Sequence, residues 1–379
     1  MRIPSIFSAV GVLVLAAVST GFEATNTYII PSTMVSAGVT IQTNAVDLSP
    51  FDGPKISAVN GSSFDWWYFD VVSPKASITI SFQTGTFNAL GYPGYDVPYA
   101  TFCNVAGIYP NGSTFSIPVV LAGPAIITTV GDGAYGNWTG SGFSFSGTPD
   151  LSEVTVNLEA ALSYGIEGII TFKSIAPAHY ATGLISDRSS SEILLPNFGW
   201  ANAVPDSVAN VDLTLFGEKY TFYGRGYHDK FAADTDQNWG MLPLQDLVNN
   251  WYWGHAKVGP YSVVFFDALD KNNVEYTSAY IAVNGVPIKA GPVAIVRPYG
   301  KNIRYPQTKP ATLFAGLTIE IDVGVRGVYA FKTVSQTVLT STDNDGYGYT
   351  RAQGVIIGGP VGGKQHKGYG LWDWQHFYN

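Results

Sequence analysis

The run Phe64, Asp65, Trp66, Trp67, Tyr68, Phe69, Asp70 sets five aromatics between two carboxylates. In an extended strand, neighbouring side chains leave on opposite faces. Trp66 and Tyr68 then share one face, and Asp65, Trp67 and Phe69 share the other. Both faces are large and amphipathic, which suits a strand dividing a core from a cavity. An indole or phenol on a cavity wall offers a flat apolar surface and one hydrogen-bond donor. For any one of these aromatics the structural alternative is a doubly buried core strand. Similar clusters recur at Trp239, at Trp251-Tyr252-Trp253, and at Trp372 and Trp374. Asp65 and Asp70 are also candidates for paired-carboxylate chemistry, since such pairs meet only in space.

Other chemistry-bearing patterns fail on context. Gly131 to Gly136 has dinucleotide-loop spacing, but Asn137-Trp138-Thr139-Gly140-Ser141-Gly142 comes next, which does not open a helix. Gly358 to Lys364 imitates a phosphate loop, with Gln365 where Ser or Thr must hold magnesium. Asp234-Thr235-Asp236-Gln237-Asn238 starts like a calcium loop. Trp239 replaces its glycine and Gln245 its bidentate Glu. The five histidines show no paired metal spacing, and no Gly-x-Ser-x-Gly elbow exists. Neither a metal nor an organic cofactor is therefore expected.

The elements that must position these residues are strands. Ser77 to Phe82 alternates with period two, as do Val211 to Phe216 and Leu317 to Val323. Val211 to Phe216 is expected to turn at Gly217-Glu218-Lys219 into Tyr220 to Tyr223. Asn284-Gly285 predicts a tight hairpin, because both central residues of its turn need positive φ. The best helix candidate is short, Leu244 to Asn250. Turn signals every eight to twelve residues argue for sandwiches or barrels. A boundary is placed near 240, dividing residues 21–240 from 241–379.

The 379 residues include only 13% charged but 14% aromatic side chains, with 42 Gly and 22 Pro, a compact strand-rich composition. Net charge is −8 and no basic stripe exists, so nucleic acid is not expected as a partner. Arg2 followed by the apolar stretch Ile6 to Val18 reads as a secretory signal, residues 1–20, cleaved between Ser19 and Ala24, with an uncleaved signal anchor as the alternative. The stretch is shorter than a membrane span, and no stable span is expected after cleavage. Sequons at Asn60, Asn111 and Asn137 agree with secretory entry and glycosylation. The single cysteine, Cys103, forbids an intrachain disulfide and reads as a buried strand residue.

Two segments together carry a family resemblance. One is Phe64 to Asp70. The other is Gly224-Arg225-Gly226-Tyr227-His228-Asp229, continuing to Asn238-Trp239-Gly240, with Trp251-Tyr252-Trp253-Gly254 after it. The chain resembles the fungal lipocalin-like family related to carotenoid hydratases. Its members include decalin-forming Diels–Alderases and the hetero-Diels–Alderases of tropolone–sesquiterpene pathways. That family runs Gly-Tyr-His-Asp almost directly into Asn-Trp-Gly, whereas here Lys230 to Gln237 intervene.

The resemblance implies an all-β protein: an N-terminal β-sandwich, a C-terminal lipocalin-like β-barrel and a pocket between them. It implies a cofactor-free [4+2] pericyclase acting on a hydrophobic polyketide or terpenoid. The secretory features favour the hetero-Diels–Alder branch, a tropolone quinone methide with a humulene-type sesquiterpene. Such a reaction needs reactants held face to face, water excluded, and a donor at a carbonyl. Tyr68, His228 and Arg351 are the candidate donors. Trp67, Trp239 and Trp253 are candidate walls, with Asp65, Gln83 and Tyr227 as further substrate contacts. His228 has a structural alternative as a bonded junction histidine, and Arg351 as an ordinary ion pair. Decalin closure, an isoprenoid hydratase using Asp65 or Asp70 as acid, and a secreted carrier or lectin are the competing functions.

Overall fold

A computed structural model describes residues 25–36, 50–92, 98–233, 242–308, 314–344 and 347–377. Most of them lie in antiparallel strands, as the period-two patterns require. The expected all-β architecture is present.

The strands between Thr25 and Ala233 form one continuous sheet of 14 members. This sheet folds over so that two of its stretches face each other, making the layers of the sandwich. Trp67, Phe69 and Phe82 from the strands Phe64–Val72 and Ser77–Gly85 meet Trp138, Phe145 and Phe172 from the opposite stretch. The Trp67 and Trp138 rings pack edge-on at 5.4 Å. Cys103 is buried in this core on Thr101–Ile108. The sheet ends in a long hairpin, Phe198–Leu215 with Glu218–Ala233. Its turn is Phe216-Gly217, both at positive φ (52° and 85°), one residue earlier than the Gly217-Glu218-Lys219 expected.

The second sheet has nine strands between Val248 and Phe377. It curls until Tyr261–Asp270 also meets Ala294–Tyr299, giving a lipocalin-like half-barrel. Leu317, Ile319 and Ile321 fill its interior with Tyr252, Trp372 and Trp374, while Thr318 and Glu320 face out. Asn284-Gly285 makes the expected tight turn, at φ 50° and 83°. The helix expected over 244–250 is a single turn, Leu244–Leu247, and the chain is extended from Val248. The boundary expected near 240 falls within 234–241, outside the described residues, as do the signal segment and the acidic stretch from Asp234.

The Gly131–Gly136 pattern lies in a hairpin, with strand Phe143–Gly147 next where a nucleotide site needs a helix. Gly358–Lys364 likewise covers the end of strand Tyr347–Pro360 and the turn that leads into His366–Phe377.

A third apolar cluster joins the two sheets. Phe64, Tyr68, Trp200, Tyr227 and Phe231 from the first meet Trp251, Trp253, Phe266, Tyr280 and Tyr347 from the second. The segment Thr86–Tyr92 crosses at one end: the Leu244 amide donates to Ala89 O, and Tyr92 packs on Tyr347. Gly91 (φ +80°) lies so close to the Phe377 ring that a Cβ would collide with it.

Candidate active site at the junction of the two sheets

Alternation along each strand decides which side chains reach this junction. On Phe64–Val72, Phe64, Trp66, Tyr68 and Asp70 face the second sheet, whereas Trp67, Phe69 and Val71 enter the sandwich core. Cross-strand pairing adds neighbours on the same face. Gln83 lies opposite Trp66, Asp229 opposite Tyr68 and Tyr227 opposite Asp70. From the second sheet, Val248–Val258 presents Trp251, Trp253 and His255, while Tyr252 turns into the barrel. Tyr347–Pro360 supplies Tyr347, Tyr349 and Arg351, and His366–Phe377 supplies Asp373.

The side chains so assembled form a connected set. The Arg351 guanidinium lies 4.8 Å from the Tyr68 ring, 5.5 Å from Tyr349 and 5.9 Å from Trp253. Tyr68 and Trp253 pack edge-on at 5.4 Å. One arm of Arg351 donates to Asp373 Oδ2 at 2.8 Å. The same carboxylate accepts from the Tyr349 hydroxyl (3.1 Å) and the Trp251 indole (3.1 Å). Burial pushes the Asp373 carboxyl up, and Arg351 opposes that shift. Arg351 Nε is buried with no partner among the described residues, and so is Gln83 Oε1. Gln83 Nε2 reaches Ser81 Oγ at 3.0 Å.

Tyr68 is differently placed from a free donor. Its hydroxyl donates to Asp70 Oδ2 at 2.9 Å, where His255 Nε2 also converges at 2.9 Å. With that proton committed, Arg351 is the cation with an unused donor, held over electron-rich rings.

A second carboxyl lies beside them. Asp229 is fully buried, and Oδ2 accepts from the Tyr227 hydroxyl (2.7 Å) and the Trp200 indole (2.9 Å). Trp253 in turn donates to the Tyr227 oxygen at 3.3 Å. Burial pushes the Asp229 carboxyl up to about 8, against the pull of these two hydrogen bonds and of His228. At neutral pH it is mostly the neutral acid.

A raised native pKa means that the folded chain holds a proton the unfolded chain has lost. This contribution to stability is therefore greatest below about pH 4, declines as pH rises, and levels off above about 8. We expect Asp229→Asn to flatten that part of the profile of denaturation midpoint against pH. An unchanged slope would show that Asp229 is ionised in the native state.

Tyr68, Gln83, Tyr227, Trp253 and Arg351 thus come together as expected site residues. Three others do not join them. Trp67 is fully buried in the sandwich, its indole donating to Asp52 O at 2.9 Å. Asp65 pairs with Lys230 and accepts from the Lys55 amide (2.7 Å), among buried Lys55 and Glu192. His228 also faces the sandwich core, stacked on Phe69 at 4.0 Å. Its Nδ1 donates to Tyr68 O (2.9 Å), and Nε2 lies 3.1 Å from both Asp52 oxygens. The reason is common to all three: they occupy odd positions on one strand or pair across from them, and one residue of offset changes the face. Trp239 lies outside the described residues.

Sequence reasoning missed Asp229, Trp200, Tyr349, Asp373 and His255 as site residues. For Asp373 a signal existed: Trp372-Asp373-Trp374 repeats the aromatic–acid alternation of Phe64 to Asp70. Among the described residues no group of three or more His, Cys, Asp or Glu side chains could hold a metal ion, and no helix is long and apolar enough to cross a membrane.

This junction belongs to a chain with clear relatives. A family model described as Diels-Alderase-like matches residues 28–296. The quinolone epoxide rearrangement protein asqO of Emericella nidulans is 34% identical over 330 residues, covering 85% of this chain and 86% of that protein. Its counterpart penF of Penicillium thymicola is 35% identical, over 85% of this chain and 88% of its own. The Diels-Alderase phmD of Phaeosphaeria nodorum is 28% identical, over 64% and 65%. In fold, the chain is similar to the crystal structure of CghA with Sch210972, at TM-score 0.70 and 16% identity, covering 92% of this chain and 98% of that one.

Proposed function

Because this chain belongs to the Diels-Alderase-like family, we propose that it is a pericyclase working without a cofactor, with its substrate held at the junction of the two sheets. One observation carries the reading: Arg351 presents a buried Nε, without a partner among the described residues, beside the faces of Tyr68, Trp253 and Tyr349. A flat, unsaturated molecule stacked there has a fixed cation at its oxygen. Aromatic walls hold two reacting π-systems in register, and orientation of this kind is worth on the order of 7–11 kcal/mol in favourable model reactions. The Arg351 donor would stabilise charge shifting onto a carbonyl as the bonds form.

The finer case is read from chemistry and from the relatives. The tropolone quinone methide with a humulene-type partner is supported by the aromatic walls and by Arg351 as a cationic donor. A second reading, rearrangement of an epoxide, is favoured by Asp229. A neutral, buried carboxylic acid is the group that can protonate an epoxide oxygen as its C–O bond opens, and aromatic faces steady the carbon cation that results. It also agrees with the names of the 34–35% identical relatives.

The test offers the purified protein three substrates in parallel: a tropolone quinone methide with humulene, a linear triene set to close a decalin, and a quinolone epoxide. Each is run after dialysis against EDTA, with no nicotinamide or flavin. We expect stereoselective turnover of one of the three, undiminished by dialysis. Acceleration of none overturns the reading. Loss in EDTA that returns with metal overturns the cofactor-free part of it.

We further propose that the chain enters the secretory pathway. Asn111 supports this from the structure: it is exposed in the turn before Thr114–Leu121, beside its sequon residue Ser113. Asn60 and Asn137 are half-buried. Intact mass of fungal-expressed protein, before and after deglycosylation, is expected to show a start beyond residue 19 and a glycan at Asn111 first. An unmodified chain beginning at Met1 would reject it.

A further inference from the structure

Beside Asp229 runs a row of buried polar side chains whose bonding capacity is unused. His179 pairs across the sheet with Asn202, Asn202 with Asp229, and Asp229 with Tyr68. Directly paired residues put their side chains on one face, so the row leads to the Arg351 site. His179, Asn202 and Asp229 are each fully buried. Yet His179 Nε2, both amide atoms of Asn202 and Asp229 Oδ1 have no hydrogen-bond partner among the described residues. Tyr280, reaching over from the second sheet, stacks on His179 at 4.4 Å and leaves its hydroxyl unpartnered too.

Leaving such groups dry is costly, because each gives up its bonds to water and regains none. Five bare atoms on four neighbouring side chains call for a polar partner. The pattern says what kind of group it is. His179 Nδ1 lies 3.0 Å from Tyr180 O. A carbonyl can only accept, so Nδ1 carries the proton and Nε2 is an acceptor. Burial also pulls this ring down to about 4, keeping it neutral. Asn202 offers one donor and one acceptor side by side, and neither is spent on the protein.

We propose that His179, Asn202 and Asp229 form a polar subsite for a cis secondary amide, the N–H and C=O edge of a lactam ring. Asn202 would pair with that edge through two parallel hydrogen bonds: its Nδ2 donates to the lactam carbonyl, and its Oδ1 accepts from the lactam N–H. The inference rests on the junction being the substrate site, and of the two finer readings above it selects the quinolone epoxide, because the tropolone quinone methide and humulene carry no lactam. Ordered water is the competing occupant, and water would not distinguish one amide from another.

The experiment measures binding by titration calorimetry with two probes, 2-quinolone and its N-methyl derivative. These differ only in whether the amide can donate. Wild type is expected to bind 2-quinolone and to prefer it at least tenfold. Asn202→Leu, which removes two unpaired polar groups and should fold, is expected to lose that preference. Equal affinity for the two probes in wild type, or no saturable binding of 2-quinolone at millimolar concentration, overturns the proposal without needing any variant. So does a preference that survives in Asn202→Leu with an unchanged melting point. Turnover of the three substrates above judges the pericyclase reading separately, so the two can fail independently.

Discussion

Arg351→Lys should cut turnover by about 10²–10³-fold while leaving substrate affinity and the melting point nearly unchanged. Removing a single pre-oriented donor from a developing oxyanion costs about that much in well-studied enzymes. Lysine keeps a charge near Asp373, so the buried carboxylate is not stranded. What it loses is the planar guanidinium and its unused Nε. Tyr68→Phe is the control. Its hydroxyl proton goes to Asp70, which still has His255, so turnover should fall far less than in Arg351→Lys. The measurement is single-turnover rate and product stereochemistry for each variant, beside its thermal melt. If Tyr68→Phe is the more damaging of the two at equal stability, the tyrosine is the polarising donor and Arg351 is a structural ion pair.

Asp65→Ala should lower stability by about 3–5 kcal/mol, the cost of stranding one member of a buried ion pair. Both partners are inaccessible, and Lys230 also lies over the Trp67 ring at 4.3 Å. Burial pushes Lys230 down and Asp65 up, so each is held charged chiefly by the other. With Asp65 gone, Lys230 must lose its proton or draw in water. The double variant Asp65→Ala, Lys230→Met should recover much of the loss, because two apolar groups leave nothing unpaired. A melt of all three variants, with turnover measured well below each midpoint, checks this. A folded Asp65→Ala protein of normal stability and abolished activity would return Asp65 to the substrate site.

How these two aspartates came to opposite roles shows how far the sequence reaches. Asp65 and Asp70 bracket the same run and look alike in it. Parity separates them: Asp65 shares the Trp67 face, Asp70 the Tyr68 face. The sequence by itself determined that split, because strand alternation is local and has a period of two. It likewise determined the Asn284-Gly285 turn, which depends on two residues tolerating positive φ. The mismatch of the glycine-rich loops with nucleotide sites was equally legible, because Asn137 to Gly142 does not read as the start of a helix and Gln365 stands where Ser or Thr would hold magnesium.

Only the tertiary structure decided which face was core and which was site. Both faces of Phe64–Val72 are apolar enough for either, and the choice is made by the groups that cover them: Trp138 and Phe145 on one side, Trp253 and Arg351 on the other. Those partners lie far away along the chain, beyond any local pattern. His228 shows the same limit. Its motif marked it as functional, but its ring went to Asp52 and Phe69 because Tyr227 and Asp229 took the junction face. Asp229 itself shows no sign of its unusual acidity in the sequence. A carboxyl becomes a neutral acid through burial, and burial exists only once the two sheets have closed over it.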